Sequence, residues 1–259
     1  MQKIAAEMNL SETAFVVSPN DDYSKDNSFG LRWFTPTNEV PLCGHATLAS
    51  ASTIFNVAKN PSSSITFSTL SGDLHAHRSE GYIVLDFPLN PPGELSEEEQ
   101  TLADNLYEKI LDLKKGDIQE TVISRQTKKL LIRMQPSFTR EDLEALKPTI
   151  TAMLASHDGS IIKGVIVTVQ PTQDSQYDFL SRYFAPWNGI NEDPVTGSAH
   201  TVLAAYWKTQ LGKTKMLGRQ CSKRGGDVLV TVRDDGRVNI AGKTNVFLKG
   251  SICMPTPDC

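Results

Sequence analysis

Glu-x-Pro-aliphatic-x-Gly-x-Ala occurs twice in this chain of 259 residues, as Glu39-Val40-Pro41-Leu42-Cys43-Gly44-His45-Ala46 and as Glu192-Asp193-Pro194-Val195-Thr196-Gly197-Ser198-Ala199. Each copy follows a strand-like segment that ends in proline, Arg32-Trp33-Phe34-Thr35-Pro36 before the first and Arg182-Tyr183-Phe184-Ala185-Pro186 before the second. Two similar motifs in the same order are typical of an internal repeat. The sequence therefore predicts two copies of one strand–loop–helix unit.

Each glycine of the repeat opens a helical run rich in alanine, serine and threonine, residues 44–57 in the first copy and 197–211 in the second. Glycine lets a ligand approach the backbone closely, and the first N–H groups of a helix have no partners inside the helix. Those N–H groups and the helix dipole together attract anions. If the two copies face one another, two helix N-termini meet at one cleft and stabilise a carboxylate, or an enolate that forms during a reaction.

Short strand candidates surround the two helical runs. They lie near residues 13–18, 30–35, 64–68, 74–77, 82–87, 118–124, 129–134, 164–169, 179–184, 228–232, 237–240 and 246–248. Strands clustered around two helices favour an α+β fold over alternating βαβ units. Residues 88–93 (Pro-Leu-Asn-Pro-Pro-Gly) form the best linker. We therefore expect an N-terminal lobe over residues 1–89, completed by residues 243–259, and a C-terminal lobe over residues 90–242.

The composition argues against several classes of function. Lys and Arg number 26 against 30 Asp and Glu, and the net charge of −4 offers no electrostatic footprint for nucleic acid or an anionic membrane. The apolar runs are shorter than the roughly 20 residues that cross a bilayer, and the first residues lack the apolar core of a signal peptide. We expect a cytoplasmic protein with no nucleic-acid or membrane partner.

The residues that commonly bind metals and cofactors form no familiar pattern. The four cysteines are scattered, without a C-x-x-C pair, and the histidines do not fall into ligand spacing with them: Cys43, Cys221, Cys253 and Cys259. We therefore expect reduced thiols and no metal site. No G-x-G-x-x-G segment precedes a helix, and Gly212-Lys213-Thr214 and Gly242-Lys243-Thr244 lack the rest of a phosphate-binding loop. The sequence predicts no cofactor.

Four segments together resemble the PhzF-like (phenazine biosynthesis-like) family: residues 9–16 (Asn-Leu-Ser-Glu-Thr-Ala-Phe-Val), 32–36, 43–47 and 192–199. The resemblance extends over essentially the whole chain. It implies the diaminopimelate-epimerase-like fold, in which each of two pseudo-symmetric lobes is a curved mixed sheet wrapped around a central helix. It also implies a cofactor-independent isomerase with its site between the lobes. Members of the family begin with an earlier strand and a Gly-Asn-Pro segment, so the resemblance predicts that N-terminal strands are missing here.

The same resemblance implies which residues form the site. The family's acid/base carboxylate corresponds to Glu12 in Ser-Glu-Thr, and its histidine, aspartate and serine correspond to His45, Asp193 and Ser198. Glu12 is then expected to move a proton on carbon in a small carboxylate-bearing metabolite, while His45 and Asp193 orient the substrate and relay protons. The anionic group is expected to bind at Ser198 and at the two helix N-termini, represented by Gly44, Ala46, Thr196 and Gly197.

Glu12 needs special surroundings for this role. A glutamate with an ordinary pKa near about 4.3 is a weak base. We therefore expect Glu12 to be partly desolvated beside the apolar strand that follows it, with its pKa raised towards the working pH.

One alternative to the isomerase hypothesis is disfavoured and another remains. Epimerases of this fold use two facing cysteines, one before each helix glycine, whereas here Cys43 has Thr196 as its counterpart. One thiol disfavours two-base racemisation, so Cys43 is expected to be a small packing residue. The rival function is a binding or scaffold protein that kept the fold without the chemistry, since relatives in the family bind a WD-repeat protein. A homodimer is also common in the family.

Overall fold

The computed structural model describes residues 1–109, 111 and 113–253. These residues form one mixed sheet of 13 strands together with several helices. The helices are α1 (Gln2–Met8), α2 (Gly44–Ser52), α3 (Glu97–Lys109), α4 (Arg140–Ala145), α5 (Ile150–Ser156) and α6 (Gly197–Leu211). The strands are β1 (Thr13–Val17), β2 (Ser28–Phe34), β3 (Glu39–Val40), β4 (Ser64–Thr69), β5 (Gly72–Ser79), β6 (Tyr82–Pro88), β7 (Ile118–Ser124), β8 (Lys129–Met134), β9 (Gly164–Val169), β10 (Phe179–Phe184), β11 (Lys215–Gln220), β12 (Gly226–Val232) and β13 (Arg237–Gly242).

The predicted repeat is visible in the strand topology. In the first copy β2 pairs antiparallel with β1 and parallel with β4, and α2 lies between β2 and β4 in the chain. In the second copy β10 pairs antiparallel with β9 and parallel with β11, and α6 lies between β10 and β11. An antiparallel meander follows each helix, β4–β5–β6 and β11–β12–β13, and the final strands β6 and β13 pair antiparallel with each other. The α+β fold with two pseudo-symmetric halves is thus confirmed.

Each central helix packs on the strands of its own copy. Helix α2 contacts β1, β5 and β6, helix α6 contacts β12 and β13, and the two helices touch each other. Their small side chains, such as Ala51 and Ala204, are fully buried in one apolar cluster with aromatic residues of both halves, including Trp33 and Trp207. Alanine, serine and threonine keep the helix surfaces shallow, so the sheet approaches them closely. The central helices are therefore fixed relative to each other by a shared core.

The second copy carries an additional layer of helices. Every residue of β8, β9 and β10 is buried, because α3, α4 and α5 cover the face of these strands that α6 does not. A second apolar cluster joins these helices to the strands through Leu106, Leu143 and Met153. A strand covered on both faces reads as a nearly continuous apolar run, as in Val165–Val169, where only Thr168 is polar.

One expected strand is absent from the structure, and some elements of the structure were not expected. Residues 246–248 were expected to form a strand, but residues 243–253 form no helix or strand and Phe247 is 94% exposed. Conversely, β11 and α5 are elements that the sequence reading did not identify. Of the tail assigned to the N-terminal lobe, residues 254–259 lie outside the described residues, and the lobe boundary at residue 89 stays a prediction. In the described part of the chain, no helix is both long and apolar enough to span a membrane.

Candidate active site

The two central helices begin in contact. A Cβ atom on Gly44 would lie 3.3 Å from the Cα of Gly197, and one on Gly197 would lie 3.5 Å from the Cα of Gly44. The contact is tighter than ordinary at Gly44, which explains glycine there, whereas a Cβ on Gly197 would be in ordinary contact. The predicted meeting of two helix N-termini is therefore present, and their first-turn N–H groups lie at one place in the molecule.

A matched ion pair holds the loop that leads into each helix. Arg32 binds Glu39 through two hydrogen bonds of 2.8 Å, and Arg182 binds Glu192 through two of 2.7 and 3.0 Å. Each pair joins a residue of the repeat strand to the glutamate of the Glu-x-Pro motif. Two parallel bonds between a guanidinium and a carboxylate fix both direction and distance. The two copies thus share the same geometry from the sheet to the start of each helix.

Four polar side chains meet at the start of α2. Glu12 lies in the loop before β1, and its Oε2 is 3.1 Å from Nε2 of His45. Nδ1 of His45 faces Oδ1 of Asp193 at 3.8 Å, and its ring nitrogens are 3.7 and 3.8 Å from Sγ of Cys43. The side chain of Glu12 is 5% exposed and that of His45 is 20% exposed. Glu12, His45 and Asp193, which come from distant parts of the chain, therefore form one cluster with Cys43.

Contacts within this cluster favour a negative charge on Glu12 and a positive charge on His45. Burial raises the pKa of Glu12, but His45, with smaller contributions from Ser11 and Cys43, outweighs it and holds that pKa below 4.5. Burial opposes protonation of His45, yet Cys43, Glu12 and Asp193 raise its pKa well above the usual range. Glu12 is thus a carboxylate against an imidazolium. The expectation that the pKa of Glu12 is raised is wrong for the free protein, because it did not include a histidine in contact.

In contrast to Glu12, both Asp193 and Cys43 have raised pKa values. Burial raises the pKa of Asp193, and although His45 and Thr196 lower it, the nearby Glu12 carboxylate raises it further. Burial likewise raises the pKa of the Cys43 thiol. Two carboxyl groups in one cluster, one shifted down and the other up, are the usual sign of a base paired with an acid.

The remaining expected residues lie around the second helix start. Ser198 is half-buried in the first turn of α6, and its hydroxyl makes no hydrogen bond to any residue described here. The N–H of Thr196 donates to Oε1 of Gln220 at 2.8 Å, so this amide is already engaged. Gly197 touches Gly44, and Ala46 is buried in the first turn of α2. Of these positions, Gly44, Gly197 and Ser198 keep first-turn N–H groups without a partner inside the helix, whereas the N–H of Ala46 bonds to Cys43.

Two residues of this region were missed in the sequence. Gln220 is fully buried, and its amide donates to the backbone oxygen of Asp193 at 2.5 Å while its oxygen accepts from Thr196. Lys129 is 7% exposed, its Nζ lies 5.8 Å from the centre of the Tyr183 ring, and burial lowers its pKa to about 8 against the opposing charge of Asp193. The only signal was a polar side chain at the end of an apolar strand, which does not reveal its distant partner.

Taken together, the α+β fold of two pseudo-symmetric halves, with a buried cluster of titratable side chains at its paired helix starts, is an epimerase-like fold. The sequence profile of the phenazine biosynthesis-like protein family matches residues 1–250, and the chain belongs to that family.

Individual relatives agree with this membership. The chain is 49% identical to the phenazine biosynthesis-like domain-containing protein of Rattus norvegicus, over 97% of this chain and 87% of that protein. It is 40% identical to a protein of Halalkalibacterium halodurans that is named an uncharacterized isomerase, over 98% of this chain and 87% of that one. The crystal structure of a PhzF-family protein of Enterococcus faecalis superposes with a TM-score of 0.81 at 37% identity, covering 98% of this chain and 86% of that chain.

Proposed function

We propose that this protein is a cofactor-independent isomerase that moves a proton between carbon atoms of a small carboxylate-bearing metabolite, with Glu12 as the acid/base. The observation that carries the proposal is the position of Glu12, whose side chain is 5% exposed and 3.1 Å from His45 where α2 and α6 begin. The family and the isomerase named among its relatives favour the same class of reaction. Fold alone does not carry a function, so the site must supply the argument.

In the proposed reaction, the Glu12 carboxylate removes a proton from carbon in the substrate. The electron pair of that C–H bond moves into the adjoining carboxylate or conjugated system and forms an enolate. Partial positive charge at the N-termini of α2 and α6 stabilises the developing negative charge. The proton on Glu12 exchanges with solvent, and Glu12 then protonates a different carbon, so atoms and charge balance and the carboxylate is regenerated.

His45 and Asp193 assist this transfer in the proposed mechanism. The imidazolium of His45 holds Glu12 in place through contact with Oε2. Asp193, whose pKa burial raises, carries a proton in the proposed reaction and donates a hydrogen bond to the enolate oxygen. Ser198, with a hydroxyl not engaged by any described residue, contacts the substrate carboxylate.

Substrate binding also makes Glu12 a stronger base. A bound carboxylate brings a second negative charge near Glu12 and excludes water, and both changes raise the pKa of a carboxyl group. The low pKa of Glu12 in the free protein therefore keeps the base ionised until a substrate arrives. A base poised in this way typically contributes about 10²–10⁴-fold to the rate.

Solvent deuterium exchange tests the proposal. Carboxylate metabolites that raise the melting temperature are first selected, since a ligand bound only by the native state stabilises it. Each is then incubated with protein in deuterated water, and label at carbon is followed by NMR. We expect the wild type to catalyse exchange, Glu12→Gln to lose about 10²–10⁴-fold of it, and Glu7→Gln, an exposed glutamate on α1, to match the wild type.

Two results would speak against the proposal. Equal exchange by the wild type and Glu12→Gln would remove the acid/base role of Glu12. Stabilising carboxylates that never exchange would instead favour the rival function, a binding protein that works through a protein partner.

A further inference from the structure

Three different metal-binding side chains converge at the start of α2. A carboxylate oxygen of Glu12, Sγ of Cys43 and a ring nitrogen of His45 all lie within 4.8 Å of one another. Nε2 of His45 is 3.1 Å from Oε2 of Glu12 and 3.8 Å from Sγ of Cys43. Ligand atoms around tetrahedral zinc are separated by about 3.3–3.7 Å, as bonds of about 2.0–2.3 Å require. The two distances from His45 are therefore within tenths of an ångström of those around one ion, and the third lies within 4.8 Å.

A second carboxylate lies where a zinc-bound histidine needs one. A ligating histidine usually donates its other N–H to a carboxylate, which fixes the ring and strengthens the ligand. Here Nδ1 of His45 faces Oδ1 of Asp193 at 3.8 Å. Asp193 is 7% exposed, and Oδ1 is a buried atom with no hydrogen-bond partner among the described residues. Oε2 of Glu12 is also buried, and the group that faces it is Nε2 of His45 at 3.1 Å, so binding of an ion would exchange this contact for a metal bond.

We propose that Glu12, Cys43 and His45 bind Zn²⁺ as a site with three protein ligands and one open position, oriented by Asp193. A thiolate, an imidazole and a carboxylate together favour zinc or cobalt over magnesium and calcium, which prefer oxygen alone. On binding, the Cys43 thiol and the His45 imidazolium each release a proton to solvent, and no oxidation occurs. The ion bonds to the carboxylate oxygen that would otherwise accept a proton from the substrate.

The consequence for activity rests on the proposed function. Glu12 cannot both ligate zinc and take a proton from carbon, so zinc inhibits the isomerase, and a chelator restores it. Cys43 then has a role besides packing. The proposed acid/base site needs no metal for its reaction, and Cys43 makes that site sensitive to zinc. The equivalent position of the second copy, Thr196, has no thiol and supports no such site.

Cobalt is a direct probe of the site, because a thiolate bound to Co²⁺ absorbs in the near ultraviolet. The full chain is reduced, stripped with a chelator and titrated with CoCl₂, and zinc is then added in competition. We expect a charge-transfer band that saturates at a single ion per chain and disappears with zinc. Cys43→Ser should lack the band, while Cys253→Ser, which removes an exposed free thiol, should keep it.

Asp193→Asn provides a second variant that retains all three ligands. It should keep the band but bind zinc about 10–100-fold more weakly, the usual cost of losing a carboxylate behind a histidine ligand. A wild type without the band, the same band in Cys43→Ser, or undiminished zinc affinity in Asp193→Asn would each overturn the site as described.

Exchange activity separates this proposal from the previous one. Cobalt binding at Cys43 in a protein that never exchanges deuterium supports the metal site and refutes the isomerase. Exchange without any cobalt band refutes the metal site alone. Where both are present, we expect zinc to abolish exchange and a chelator to recover it, and stimulation by zinc would overturn the inhibitory role.

Discussion

The two copies of the repeat present different side chains where their helices meet. The first places Cys43 and His45 on either side of its glycine, and the second places Thr196 and Ser198 on either side of its own. Asp193 of the second copy aligns with Val40 of the first. The scaffold was kept, because the glycine contact and the Arg–Glu pair occur in both. The groups that titrate are distributed unequally, which gives one asymmetric cluster of titratable side chains instead of two equivalent halves.

A less visible match lies one turn into each helix. The hydroxyl of Thr47 donates to the backbone oxygen of Cys43 at 2.6 Å, and Nδ1 of His200 donates to that of Thr196 at 2.7 Å. Both side chains bond back to the residue before the helix glycine. The two copies thus satisfy the same backbone carbonyl with different donors, a threonine hydroxyl and a histidine ring. Only the histidine can change its protonation state with pH.

The Arg–Glu pairs should differ most in stability. Arg182 is buried and also donates to three backbone oxygens at the end of α4, those of Leu143, Glu144 and Leu146, whereas the Arg32 side chain is 49% exposed. Breaking a buried pair costs about 3–5 kcal/mol, and an exposed pair contributes about 0–1 kcal/mol. We expect Arg182→Met to lose several times more unfolding free energy than Arg32→Met in urea titrations. Equal losses would show that the two Arg–Glu pairs contribute equally to stability despite their different burial.

The pH dependence should separate the two back-bonding residues. Burial lowers the pKa of His200 from 6.5 to about 4, so the unfolded chain takes up a proton before the folded one. Stability is then complete above pH 6.5 and falls towards pH 4, by up to about 1.4 kcal/mol per pH unit and about 3 kcal/mol in all.

The variant His200→Thr copies the residue of the first copy and should lack this part of the slope. Urea titrations of both proteins across this range give the difference, in which the shared carboxylates cancel. Parallel stability curves would mean that His200 is not the titrating group.

The two helix starts should respond unequally in catalysis. His45→Ser gives the first copy the residue of the second and removes the partner of Glu12, so exchange should fall by about 100-fold or more. Ser198→Ala removes a single hydrogen bond to the substrate, and we expect a fall of about 10-fold, as a loss near 1.5 kcal/mol implies. Initial rates of deuterium incorporation provide the comparison, and a larger effect at Ser198 would reverse the assignment.

The glycine contact should give the smallest difference. A Cβ on Gly44 would approach the backbone of Gly197 to 3.3 Å, tighter than ordinary contact, while one on Gly197 would remain at 3.5 Å. We expect Gly44→Ala to lose about 1–3 kcal/mol through overpacking and Gly197→Ala to remain within about 0.5 kcal/mol of the wild type. Chemical denaturation of the pair measures this, and a costlier Gly197→Ala would contradict it.

The sequence predicted the parts of the fold that repeat locally. The Glu-x-Pro-x-x-Gly motif and its alanine-rich helix lie within one short segment, so both copies could be found by inspection. Strand β11 was missed because Gly218 interrupts its pattern, and the structure explains that glycine: a Cβ there would lie 2.3 Å from the Phe179 ring. Packing against Phe179, which is distant in the sequence, thus requires the glycine that interrupts the strand pattern.

The candidate site was less accessible to sequence reasoning. Glu12 is one carboxylate in a loop with no periodic context, and only resemblance to a family singled it out. Its lowered pKa, the Gln220 bridge and the metal-ligand set all depend on contacts between residues far apart in the chain, such as Glu12 with His45. Spacing rules that look for ligands near one another in sequence do not detect a set completed by the fold.

Titration of Glu12 itself tests most directly the claim that one helix start holds a coupled acid/base pair. Carboxyl NMR of the chelator-treated protein, labelled with ¹³C at glutamate and assigned with Glu12→Gln, gives its pKa in the wild type and in His45→Gln. We predict a value below 4.5 in the wild type, and an upward shift past it in the variant, where burial acts without the neighbouring imidazolium. A Glu12 resonance that titrates identically in both proteins would contradict the coupling and, with it, the acid/base assignment.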